Sequence, residues 1–296
     1  MKTNRGARVV LGILVLILFC IYSYLKASTT PHSNDIGVPR ESAPVADQVP
    51  EDSTGTPEAK PEELGGEVTP EAVPEPTVDP NSPEGRALAV GLPTPPDIDI
   101  TSWEYILVNA THELASDYAP PTVVTVSSSQ CPQDSRIADA LMAFADDCAA
   151  QGLPVLLSSG YRSYNEQYQN FQRKLDEGMS REEAATIVAI PGTSEHQTGL
   201  CCDITDIYRN PKDPDVLSQT DTFLWLNEHC AEYGFILRFP LGEKDITGII
   251  YEPWHFRYVG TEAAEYIKAN DLTLEEFVAI YTGEEVPGSD MFGPAA

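Results

Sequence analysis

Beyond residue 97 the hydrophobic positions fall into short runs with two different periods. Between Asp134 and Gln151 the apolar residues Ile137, Leu141, Phe144 and Cys148 recur at helical spacing, and Gly152 follows as a stop. A second helix is predicted from Tyr164, with Tyr168 and Phe171 on one face. A third is predicted after the turn at Gly178, capped by Ser180 with Glu183 three residues on. Thr222–Tyr233 reads as a helix that ends at Gly234, where a left-handed residue suits glycine. Helices are also predicted over Glu262–Ala269 and Leu274–Tyr281. The β-favouring runs are Trp103–Asn109, Thr122–Val126, Pro154–Ser159, Leu200–Ile204, Phe235–Phe239 and Ile249–Tyr251. The last two are expected to pair antiparallel across the Gly242–Gly248 loop. Helices come early and paired strands late, which points to an α+β domain rather than a doubly wound parallel sheet.

The first 96 residues follow a different pattern. Lys2, Arg5 and Arg8 precede an apolar run from Val9 to Leu25, and Lys26 follows. Its length is at the lower limit for a helix that crosses a bilayer. A cleaved signal peptide is the competing reading, but no small-residue cleavage site follows. The expectation is a cytoplasmic N-terminus (1–8), a transmembrane signal anchor (9–25) and a cell-membrane protein whose remaining chain is extracytoplasmic. Residues 26–96 are acidic and proline-rich with almost no aromatics, which predicts a disordered linker. The folded domain is then expected over 97–284, with a flexible tail over 285–296.

The formal net charge of −28 argues against nucleic acid as a partner, because phosphates would be repelled. Of six cysteines, five lie beyond the apolar run. An odd number leaves at least one without a partner inside the chain.

The candidate chemistry is concentrated between Ser194 and His255. If Leu200–Ile204 is a strand, Cys201 and Asp203 share one face, while Leu200, Cys202 and Ile204 share the other. His196 sits across Gly199, able to fold back beside Asp203. Downstream, Glu252-Pro253-Trp254-His255 supplies a second carboxylate and a second imidazole. Strict alternation would separate Glu252 from His255, but Pro253 belongs at an edge or a bulge, and a bulge shifts the register. Two imidazoles and a carboxylate form the ligand set of a catalytic zinc site. Glu252 would then be available to take a proton. Arg162, at the end of the Pro154–Ser159 strand beside Gly160, is placed to clamp a carboxylate.

Taken singly these residues are ordinary. Together, Ser159-Gly160-Tyr161-Arg162-Ser163, Ser194-x-His196-x-x-Gly199-x-x-x-Asp203 and Glu252-Pro253-Trp254-His255 resemble the VanY-type D-alanyl-D-alanine carboxypeptidases in order and spacing, across Trp103 to Tyr258. The resemblance implies a hedgehog/D,D-peptidase-like zinc fold with a central antiparallel sheet. It also implies that zinc is bound by His196, Asp203 and His255, with Glu252 as catalytic base. Arg162 would contact the substrate and stabilise the developing oxyanion, and Ser194 and Gln167 would line the substrate site. The implied reaction is zinc-assisted hydrolysis that removes the C-terminal D-alanine from peptidoglycan stem peptides. An L,D-carboxypeptidase, an endopeptidase of the same fold and a non-catalytic wall-binding module are the alternatives. The chain departs from the family pattern at Cys201-Cys202, where small aliphatic residues are usual, and at Glu243-Lys244, where the order is reversed. Cys202 reads as core packing, whereas Cys201 faces the metal side.

Overall fold

Four short antiparallel strands build the sheet that organises this chain. The structure, a computed structural model, describes residues 78–126, 130–206 and 213–293. The predicted anchor and the first part of the predicted linker lie outside these residues. Among the described residues, no helix is long and apolar enough to cross a membrane.

A hairpin of β1 (Val123–Val126) and β2 (Cys131–Asp134) precedes the sheet. The sheet itself contains β3 (Leu156–Ser159), β4 (Cys201–Thr205), β5 (Phe235–Leu237) and β6 (His255–Tyr258). Its order is β3-β4-β6-β5, with every neighbouring pair antiparallel. Cross-strand partners share a face. Leu157 opposite Ile204, and Cys202 and Leu237 opposite Phe256, therefore define one side. That side is the main core. The other side carries Cys201 opposite Arg257 and Asp203 opposite His255.

Among the described residues the helices longer than one turn are α1 (Pro83–Ala89), α2 (Ala138–Ala150), α3 (Tyr164–Asp176), α4 (Arg181–Ala185), α5 (Asp221–His229), α6 (Thr261–Ala269) and α7 (Leu274–Thr282). Helix α2 lies on the core side, where Ile137, Leu141, Phe144 and Cys148 are fully buried as their spacing predicts. The Phe144 ring meets Tyr233, Phe235 and Phe256 at centroid distances of 5.1, 5.6 and 5.6 Å. A second core joins Ala87 of α1, Ile236 of β5 and the inner faces of α6 and α7. The Ser180–Glu183 capping box forms as the sequence predicts, and Gly234 is left-handed at φ 81°.

Several expectations are corrected. Trp103–Asn109 is not a strand but a 3-10 turn (Trp103–Tyr105) followed by irregular chain. The carbonyls of Glu104 and Ile106 accept from the Arg257 guanidinium instead of a sheet ladder. Ile249–Tyr251 is also not a strand. Ile250 N–H bonds the Thr186 carbonyl beyond α4, and β5 takes β6 as its partner. The intervening loop holds a helical turn, Lys244–Thr247. Asp134 ends β2 rather than opening a helix. On α3 the buried pair is Gln167 and Phe171, while Tyr168 is exposed.

Folded structure also extends past both predicted boundaries. Helix α1 falls inside the predicted linker, and the predicted tail buries Val286 and Ser289, the latter bonded to Glu276. Cys131, Cys148, Cys201, Cys202 and Cys230 are all buried free thiols, so there is no disulfide among the described residues.

Candidate active site

The site is built on the face of β4 and β6 turned away from the core. Asp203 and His255 are there because they are cross-strand partners, and their Oδ1 and Nδ1 atoms lie 3.0 Å apart. His196 arrives by a different route. It sits in a 3-10 turn (Glu195–Thr198) that ends at Gly199, left-handed at φ 67°. A Cβ on Gly199 would come within 2.9 Å of the Asp134 amide nitrogen. The close approach and the left-handed backbone thus both call for glycine where the chain folds back into β4. This reversal leaves His196 Nε2 3.5 Å from Asp203 Oδ1. The two imidazole rings stand nearly perpendicular, 4.9 Å apart.

Each ring is oriented from behind. His196 Nδ1 lies 2.7 Å from the Gly160 carbonyl oxygen, which can only accept, so Nδ1 carries the proton and Nε2 faces inward. His255 Nε2 faces Glu195 Oε2 at 3.4 Å, and neither atom has a hydrogen-bond partner elsewhere. The Nδ1 of His255 is turned toward Asp203. His196 Nε2, His255 Nδ1 and Asp203 Oδ1 therefore converge as two nitrogens and one oxygen, a donor set that suits zinc. Their backing by a carbonyl and a carboxylate is the usual support for metal-ligating histidines.

No local motif in the sequence marks Glu195. It is buried, and its Oε1 accepts from Arg238 Nε at 2.8 Å and Arg257 Nη1 at 2.7 Å. Arg238 also makes a bidentate pair with Glu275, at 2.8 and 2.6 Å. The available signal was an arginine in each of two otherwise apolar strand segments, Phe235–Phe239 and Phe256–Tyr258. Burial alone would raise the Glu195 pKa, but the two guanidinium groups, with His255, hold it well below the usual carboxylate range. Burial likewise opposes charge on His255, yet Cys201, Asp203 and Glu195 hold its pKa well above the usual imidazole value.

Glu252 stands in the turn before β6. Its carbonyl accepts from His255 N–H at 3.1 Å, and its Oε2 lies 3.9 Å from His255 Nδ1. The turn, rather than a bulge inside a strand, brings both side chains to one side. Arg162 is tied in through its backbone N–H to the His196 carbonyl at 3.0 Å and through Nη1 to Ser159 Oγ at 3.1 Å, while its buried Nε has no partner. A cavity of about 430 Å³ unites Arg162, Ser194, His196, Asp203, Glu252 and His255, with Val188, Ile190, Phe239 and Trp254 among its apolar walls. Gln167, expected at the substrate, is not among the lining residues. Its buried amide donates to the Ala189 carbonyl at 2.6 Å, and so it holds from behind a wall that Ala189 lines.

A family model described as VanY, D-alanyl-D-alanine carboxypeptidase, matches residues 132–261. YodJ of Bacillus subtilis (strain 168) is 37% identical over 180 residues, 58% of this chain and 65% of that protein. The chain thus spans just under two thirds of that relative. Among solved structures, the LD-carboxypeptidase LdcB matches with a TM-score of 0.54 and 35% identity, over 59% of this chain and 85% of LdcB. A variant of the vancomycin-resistance D,D-pentapeptidase VanY, from a VanB-type cassette and in complex with Zn(II), matches with a TM-score of 0.52 and 34% identity. That match covers 60% of this chain and 99% of the solved one. The shared α+β fold, the match over nearly the whole of a solved VanY and the convergence of the three sequence motifs on one cavity lead to one assignment: the chain belongs to the VanY family of D-alanyl-D-alanine carboxypeptidases.

Proposed function

We propose that this protein is a zinc carboxypeptidase that removes the C-terminal D-alanine from peptidoglycan stem peptides. The observation that carries the reading is the convergence of His196, Asp203, His255, Glu252 and Arg162 on one cavity. His196, Asp203 and His255 would hold the zinc, which would supply Lewis acidity and lower the pKa of water. Glu252 takes the proton from the attacking water and returns it to the leaving amine as the peptide bond breaks. Arg162, with a buried donor to spare, binds the free carboxylate of the terminal residue and helps to stabilise the oxyanion. Ser194 contributes a small polar wall. Phe239 and Trp254 exclude water and offer an apolar surface to the alanine methyl groups. The basic-then-apolar start of the sequence supports single-pass anchoring, with the peptidase outside the membrane.

The test uses the full chain with a pentapeptide ending in D-Ala-D-Ala, a tetrapeptide with an L,D terminus and cross-linked stems. Metal-free protein should release no D-alanine, added zinc should restore release, and Glu252→Ala should lower it by roughly 10²–10⁴-fold. Cleavage of the tetrapeptide alone would make this an L,D-carboxypeptidase, the activity in the name of LdcB. Cutting only within cross-links would make it an endopeptidase, and zinc binding without cleavage would leave a wall-binding module.

A further inference from the structure

Strand β3 pairs with β4 only as far as Ser159, opposite Asp203, and then leaves the sheet at Gly160 to carry Arg162 to the cavity. The carbonyls of Gly199 and Cys201 therefore lie beyond the β3 ladder. The Leu200 carbonyl between them accepts from Tyr258 N–H at 2.8 Å, on the β6 side. Buried carbonyls need donors. Gln133 of β2, whose side chain is fully buried, supplies them. With its amide turned so that the hydrogens meet acceptors, Nε2 donates to the Gly199 carbonyl at 3.0 Å and to the Cys201 carbonyl at 3.1 Å. Asp134 N–H adds a bond to the Gly199 carbonyl at 3.1 Å. The same stretch of β2 packs on the Gly160 turn. The Pro132 carbonyl accepts from Tyr161 N–H at 2.6 Å, and a Cβ on Gly160 would overlap both that carbonyl and the Gln133 amide. Both contacts bear on the site. The Gly160 carbonyl orients the His196 ring, and Gly199 and Cys201 bracket the reversal that joins His196 to the strand of Asp203.

We propose that Gln133 is a positioning residue for the reaction. Its amide stands in for the strand that β4 lacks there and locks the Gly199–Cys201 segment against the Gly160 turn, which fixes His196 relative to Asp203 and Arg162. The proposal rests on the metallopeptidase reading of the same site. Gln133 is not among the residues that line the cavity, so it acts through these backbone segments. Without the amide, the Cys201 carbonyl loses its donor and the Gly199 carbonyl loses one of two, and the segment must shift to find others. A displacement of about 1 Å among catalytic groups can cost on the order of 10²-fold in rate.

The experiment compares the full-length wild type with Gln133→Met, which keeps the length of the side chain but has no N–H donor. Leu141→Ala, in the core under α2, serves as a variant that lowers stability only. At a temperature where all three are folded, Gln133→Met should lower kcat by roughly tenfold or more. It should also weaken zinc binding by roughly tenfold or more in chelator competition. Leu141→Ala should lower the urea midpoint and leave both quantities at the wild-type level. A third readout needs no metal: in the metal-free protein the His196 Nδ1 proton, held by the Gly160 carbonyl, should give an exchange-protected imidazole signal that shifts or broadens in Gln133→Met. Wild-type kcat and zinc affinity in Gln133→Met, with only the urea midpoint lowered, would make Gln133 a structural residue and overturn the proposal. A wild type that neither binds zinc nor cleaves the peptides sinks the peptidase reading instead, and an unchanged imidazole signal in Gln133→Met then overturns the placing of His196 as well. If Gln133→Met does not fold, Gln133→Asn, whose amide is one methylene too short to span both carbonyls, should show the same losses in milder form. Full kcat and zinc affinity in that variant overturn the proposal.

Discussion

Glu195 sits between two buried arginines and the ring of His255, so a single carboxylate serves both stability and the site. In Glu195→Gln, the buried guanidinium groups lose their shared counter-charge. The expected cost is about 3–5 kcal/mol, read as a lower urea midpoint. Its folded pKa lies below the ordinary 4.5. The charge therefore contributes fully above that pH, and the contribution is lost as pH falls through the lower folded value. The gap between wild type and Glu195→Gln should be widest near neutral pH and close on acidification below 4.5. A gap that stays constant would show that the charge is not what matters. His255, Asp203 and His196 were legible because period-two alternation and the Gly199 bend place them. Glu195 was not, because its role depends on arginines from two distant strands that no local period connects.

At the level of elements, α2 shows what periodicity captures. The buried positions Ile137, Leu141, Phe144 and Cys148 repeat every three or four residues, and Phe144 reaches four aromatic rings. Phe144→Ala should cost about 3–5 kcal/mol by chemical unfolding. A loss below about 1 kcal/mol would mean that the core collapses to fill the space. Trp103–Asn109 and Ile249–Tyr251 carry the same β-favouring composition as true strands and yet are not strands. β-propensity reports suitability for a half-buried surface, and here non-ladder partners satisfy the backbone.

Across the whole molecule, composition marked the N-terminal region as distinct but set its end too late. Arg86 of α1 donates to the Ile280 and Tyr281 carbonyls at the end of α7, and Tyr266 and Tyr281 donate to the carbonyls of Pro93 and Pro96. Proline-rich sequence reads as linker, and only tertiary acceptors and a buried Ala87 make it part of the domain. A chain that starts at Asp97 should unfold at lower urea than the full protein while keeping its metal affinity. Arg86→Ala alone should cost about 1 kcal/mol. Equal midpoints for the truncated and full chains would make α1 a passenger. The same clasp gives the domain a mechanical fuse. Tension along the chain ahead of Val78 reaches α1 first, and peeling residues 78–96 off α6 and α7 would release about 60 Å of extended chain. The sheet that holds His255 feels the pull only after that slack is gone.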